Sequence, residues 1–302
     1  MFRARFATVT MAVIALSASL SACTNSEDSA QPEQSKVAVA KDSTLAAMVP
    51  ARFKGGINVA SGVYAPMEML TEGGKFTGFD YDLAQALGGK LGVPFRFENQ
   101  DFDTIIPSLQ SGKHNIIING MNDTAERQKT LDFVDYFHAG MAILVKKGNP
   151  DKVGTVLDLC GKSVAVAKAT VQSDLMKTES RKCPGAGKPA MKLVEVPAET
   201  DAQLAVRAGK ATADVLDAAP AEYAAVTAGN GKLFEVVHDS QHPGGYNPVN
   251  TGIGVLKKDH DLTLALQAAL KSLIQDGTYK QLLAKYKLSS YAIESALING
   301  KA

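Results

Sequence analysis

The chain has 302 residues, 45% of them hydrophobic and 21% charged, a globular composition that excludes disorder, collagen and coiled coil. Thirty-two Lys and Arg against 31 Asp and Glu give a formal net charge of +1, so there is no electrostatic field to gather nucleic acid or an anionic membrane surface. There are three cysteines and no tryptophan, which limits the rings that could cover a ligand.

The first 22 residues combine a basic start (Arg3, Arg5), an apolar stretch from Ala7 to Leu20 and a small-residue end. That is the pattern of a secretory signal peptide, too short for a membrane span. Leu20-Ser21-Ala22-Cys23 resembles the lipobox of bacterial lipoproteins, which implies that Cys23 is lipidated and becomes the mature N-terminus, a lipid anchor on the outer face of the cell membrane. Cleavage there removes two positive charges and no negative ones, leaving a net charge of −1. Residues 24–44 are polar and poor in large apolar side chains, so a flexible leash is expected, with 23–50 as linker and the folded body starting near Ala51.

Strand-type and helix-type segments then alternate, as in parallel sheets with crossover helices. Strands are expected at Gly56–Ala60, Phe95–Phe97 and Asn115–Ile118, with helices at Phe79–Leu91 and Phe102–Gln110. Cys160 and Cys183, 23 positions apart, are expected to form a disulfide in the oxidising compartment of an exported chain; they lack the C-x-x-C spacing of a metal site. A second α/β series follows, with strands at Ala142–Val145, Ser163–Ala167, Leu193–Val196 and Ala213–Leu216. Its helices are expected from Val171, at Thr200–Ala208 and at Ala221–Thr227, and two more close the chain at Asp261–Gln275 and Thr278–Tyr286. Thr200 with Gln203, and Asp123 with Glu126, have capping-box spacing. Because Arg127 follows the second pair, a helix N-terminus and a guanidinium would converge on one carboxylate; a surface ion pair is the competing reading.

GINVASGVYAPMEM (56–69), GKFTGFDYDLAQALGGKLGV (74–93) and FDTIIPSLQSGKHNIIINGMNDTAERQKTLDFVDYF (102–137) resemble the bacterial extracellular solute-binding proteins that serve ABC importers of polar amino acids. The resemblance continues through DLCGKSVAVAKATVQ, AGKATADVLDAAPAEY and NTGIGVLKKDHDLTLALQAALKSLIQDGTYKQLLAKY, nearly to the end of the chain. It implies an α/β fold of the two-lobed periplasmic-binding-protein kind (type II), closing by a hinge on a ligand in the cleft. Lobe 1 is expected from residues 51–140 plus 252–302, and lobe 2 from 141–251 with the crossover strands. The implied partners are a free polar amino acid and the permease subunits of an ABC transporter; the protein is expected to be a monomer without cofactor or metal.

A zwitterion buried in such a cleft needs both of its charges paired. The resemblance puts the α-carboxylate on Arg127 and on the amides of Thr170 and Val171 at a helix start. The backbone of Asn122 joins them, and the ammonium falls to Asp217 and the Gly120 carbonyl. Tyr64 and Phe102 match its stacking pair. Without the resemblance Asp217 reads as a cap on the following helix. Ser61 stands where many relatives that bind basic amino acids carry an Asp facing the ligand side chain, which argues against Lys or Arg as ligand. Lys168, if it points into the cleft, would favour an acidic or amide side chain. Ala167 and Ala169 replace residues that are often polar and Gly respectively, Asp123 reads as a cap, and Glu68 stays outside the direct contacts. The alternative function is an exported dehydratase of the same fold acting on prephenate or arogenate, which would need an acid or base aimed at the leaving group. His238 and His242 are four apart, but Pro243-Gly244-Gly245 follows and no helix would put them on one face, so no metal site is expected there.

Overall fold

The structure is a computed structural model describing residues 39–300. The expected signal peptide at 1–22, the expected lipidation site Cys23 and the stretch up to residue 38 lie outside the described residues. Asp42 caps helix α1 (Ser43–Met48), its carboxylate accepting the amides of Thr44 and Leu45 at 2.8 and 3.1 Å. Val39 and Leu45 pack on a core that includes α2 (Phe79–Leu91). The linker expected up to residue 50 is therefore already folded from residue 39: a cap and two apolar side chains suffice once a preformed helical surface receives them.

Strand β1 (Ile57–Ser61) is followed by the hairpin β2 (Met69–Leu70) and β3 (Phe76–Thr77), then α2, β4 (Phe95–Asn99), α3 (Ile105–Gln110) and β5 (Ile116–Ile117). β6 (Leu131–Lys146) leads to β7 (Ser163–Ala167), α4 (Val171–Lys182), β8 (Lys192–Val196), α5 (Glu199–Arg207), β9 (Ala213–Asp217), α6 (Ala218–Thr227) and β10 (Phe234–Val236). β11 (Tyr246–Leu256), α7 (His260–Gln275), α8 (Thr278–Lys285) and β12 (Leu297–Ile298) complete the described chain.

The sheet runs in the order β4-β1-β5-β11-β6-β9-β7-β8. β1 is parallel to β4 and β5, and β7 is parallel to β8 and β9, so each lobe has its own parallel sheet with crossover helices. β6 joins them: residues 131–139 pair antiparallel with β11, and residues 141–145 pair with β9. In lobe 1, Ile57, Val59, Leu83, Leu87, Leu266 and Leu270 form one core layer, while Ile105, Leu109, Ile117 and Phe133 form another on the far side. Lobe 2 repeats this with Met141, Ile143, Val164 and Met176 against α4, and Leu144, Val206, Leu216 and Ala221 against α5 and α6.

Cys160 and Cys183 form the disulfide, tying the turn before β7 to the end of α4. Replacing both by serine is expected to destabilise lobe 2 by about 3 kcal/mol through loop-closure entropy. Denaturant unfolding followed by circular dichroism checks it; an unchanged midpoint would refute the structural role.

Candidate functional site

The carboxyl ends of β1, β7 and β9 and the start of α4 face one another across a cavity of about 190 Å³. Pockets for drug-sized ligands run to roughly 300–1,000 Å³, so this one suits a smaller molecule. Of the residues singled out in the sequence, the expected ligand contacts Tyr64, Phe102, Gly120, Asn122, Thr170 and Asp217 line it, and so do Ala167 and Thr200.

Asp217 is the hub. It occupies the N-cap position of α6, yet its side chain makes no cap bond. Instead its carboxylate accepts the Tyr64 hydroxyl at 2.8 Å, the Gln172 amide at 2.9 Å and the Asn122 amide at 3.3 Å. The backbone N–H of Asp217 donates to the Tyr64 oxygen at 3.1 Å. Two of the side-chain donors come from lobe 1 and one from lobe 2, so a single carboxylate ties the lobes. Burial pushes Asp217 up to about 6, with Tyr64 and Asn122 pulling the other way; burial and Asp217 together raise the Tyr64 hydroxyl.

Gly120 has φ +53°, and a Cβ there would stand 2.8 Å from the Tyr64 ring, so only glycine admits this approach. Its N–H donates to Asp80 at 2.9 Å. Beneath it Glu68 is buried and accepts the amide of Asn119, which itself lines the cavity, at 3.0 Å. Burial pushes both Glu68 and Asp80 up. Thr170 caps α4, accepting the Ser173 amide at 3.2 Å.

Arg127 lies just outside the lining. Its guanidinium donates to the Asn122 carbonyl at 2.8 Å and to the Ala169 carbonyl of the other lobe at 3.2 Å, and sits 5.4 Å from the Phe102 ring centroid. Burial lowers it to about 10, so it stays charged at neutral pH. The helix start expected at Asp123 does not form. A single 3-10 turn, Arg127–Lys129, precedes β6, the Asp123 carboxylate accepts Gln128 at 2.7 Å, and Thr124 accepts the Arg127 amide at 3.2 Å. With β6 starting at Leu131 there is no length to offset helix nucleation. The box at Thr200 also fails: α5 begins at Glu199 with Ala198 in the cap position and no side-chain cap bond. Ala169 has φ +61°, the left-handed conformation that glycine takes without strain.

Three other expected positions are not in the cavity wall. Ser61 is fully buried and donates to the Ile118 carbonyl at 2.7 Å, because alternation along β1 turns it into the sheet packing. Val171 packs against the lobe 2 core. Lys168 pairs with Asp103 of lobe 1 at 2.7 Å, a half-exposed bridge between the lobes. The charged side chains that do line the cavity, Asp101, Glu199 and Asp217, are all acidic. The argument against a cationic ligand drawn from Ser61 therefore fails: negative charge reaches the cavity from other elements. Gln172 and Glu199 were missed in the sequence. Gln172 lay one position past the expected helix start at Val171, a usable signal, whereas Glu199 was hidden by the false cap at Thr200.

Residues 57–289 match the profile of the bacterial extracellular solute-binding proteins, family 3. The chain belongs to that family. This solute-binding protein is 29% identical to the arginine-binding protein ArgT of Corynebacterium glutamicum over 98% of its own length and 96% of the relative's. Among solved structures it resembles an ancestral arginine-binding protein bound to arginine, with a TM-score of 0.69 and 33% identity over 77% of this chain and 98% of the other. An ancestral amino acid-binding protein described as a precursor of cyclohexadienyl dehydratase is similar to the same degree, with a TM-score of 0.68 and 33% identity over 81% and 99% of the two chains.

Proposed function

We propose that this protein is the capturing subunit of an ABC importer, binding a free polar amino acid in the cavity without turnover and presenting the closed form to a membrane permease. The observation that carries the reading is the Asp217 carboxylate, buried at the lobe junction and reached by donors from both lobes. A primary ammonium is the natural occupant of such a carboxylate, since burying either charge alone is costly. Arg127, already bridging the lobes and still charged, supplies parallel donors for the α-carboxylate. Tyr64 and Phe102 cover the body of the ligand, with Gly120, Asn122 and Thr170 as polar contacts and Val171 as a helix-start amide.

Residues 51–140 with 252–302, and 141–251, are proposed as the two bodies that close about β6 and β11. A ligand touching both shifts the population toward closure. The protein is proposed to be exported as a monomer and held by lipid on Cys23. The name of the relative and the contents of the similar solved structure make amino acids with basic side chains the first ligands to test.

Calorimetry against the free amino acids, with native mass spectrometry of the protein as purified, is expected to find one-to-one binding of at least one polar amino acid. Consumption of prephenate or arogenate would overturn the binding-only reading.

A further inference from the structure

Building on that reading, we infer that Glu199 is the residue that selects the ligand's side chain, as the counterion of a cationic group, with Asp214 behind it as its hydrogen-bonding support. Glu199 opens α5 and lines the cavity, yet it is 91% buried and, among the described residues, its Oε1 has no donor from any other residue. Asp214, in β9, is fully buried with both carboxyl oxygens likewise without another partner, and the two carboxyls face each other. Two carboxylates cannot hydrogen-bond unless one of them holds a proton. Burial pushes both up. Asp214, fully buried and off the cavity wall, keeps the shared proton and donates it to Glu199, which lines the cavity and is left to carry the charge.

The remaining groups around Glu199 narrow what it can accept. Gln203, one turn along α5, favours its ionised form; Asp217 from the end of β9 adds negative charge, and from lobe 1 Tyr64 lies close enough to feel the charge on Glu199. Among the described residues no Lys or Arg is in the lining, and Lys168 is spent on Asp103. Asp101, the third acidic residue of the wall, is exposed at the cavity edge, where water screens it. Once the ligand ammonium takes Asp217 and its carboxylate takes Arg127, the buried acid still facing the cavity is Glu199. A guanidinium or ammonium side chain neutralises it. An amide supplies a donor but no charge, and a carboxylate is repelled.

The test is calorimetry of the full-length protein with L-arginine, L-lysine and L-glutamine, a unit above and a unit below pH 7. Burial lifts Glu199 to about 7, so the arginine-to-glutamine affinity ratio is expected to rise as pH passes upward through that value. Asp217 titrates lower and meets the ammonium common to all three ligands, so it cancels in the ratio. Glu199→Gln is expected to lower the ratio by about 10- to 100-fold, the range of one charge-assisted hydrogen bond, and to remove its pH dependence. A variant that loses arginine and glutamine by the same factor, or a wild-type ratio flat across pH 7, would overturn the assignment. Failure of the wild type to bind any amino acid would instead sink the proposed function itself.

Discussion

Asp217→Ala is expected to weaken binding of every amino acid ligand by about 3–5 kcal/mol, roughly 10²- to 10³-fold or more, because a buried ammonium loses its only full counter-charge. The same carboxylate holds Tyr64, Asn122 and Gln172, so its removal also frees three donors and loosens the tie between lobes. Calorimetry reads the first effect and small-angle scattering with saturating ligand reads the second, as a failure to contract. A pH series adds an independent check. An ammonium binds the ionised form, and burial holds Asp217 at about 6, so affinity is full above that value and falls about tenfold per unit below it. Undiminished binding at pH 5 would contradict the role given to Asp217.

Arg127→Ala is expected to cost two charge-assisted hydrogen bonds to the ligand carboxylate, about 1.5–3 kcal/mol each, and so at least 10²-fold in affinity. Its bond to the Ala169 carbonyl across the cleft goes as well, so closure suffers with binding. Arg127→Lys keeps the charge but not the planar fork and is expected to recover only part of the loss. The effect should be independent of pH between about 5 and 8, since Arg127 remains charged there, which separates it from Asp217. Wild-type affinity in Arg127→Ala would remove Arg127 from the site.

Much of the scaffold was legible because each lobe is built from short periodic segments. The stripe in α2 and the apolar runs at β1, β7 and β9 predicted those elements to within a residue or two. β6 was read at its apolar end, Ala142–Val145, and through the resemblance as a crossover near His138–Ile143, but not in its first half. Its first half carries Asp132 and Asp135 in an almost wholly buried strand, and acids there look like loop residues until Asn299 and Asn250 are seen to donate to them. The start of β11, Tyr246–Val249, contains Pro248 and an Asn at positive φ, so no local pattern marks a strand there and only the family resemblance put a crossover strand near Gln241–Thr251.

The sequence by itself determined the export pattern, the alternating α/β segments, the cysteine pair and the blocks that carry the family resemblance, since all of these are local spacings of residue types. Only the tertiary structure decided which charges share a cavity. Ser61 was turned inward by the alternation of β1 and Lys168 drawn across to Asp103, while Gln172 and Glu199, at the starts of two different helices, were brought beside Asp217. The physical reason is that the polarity of a cleft is summed over side chains from distant segments, and no pattern along one segment records where another will place its charge.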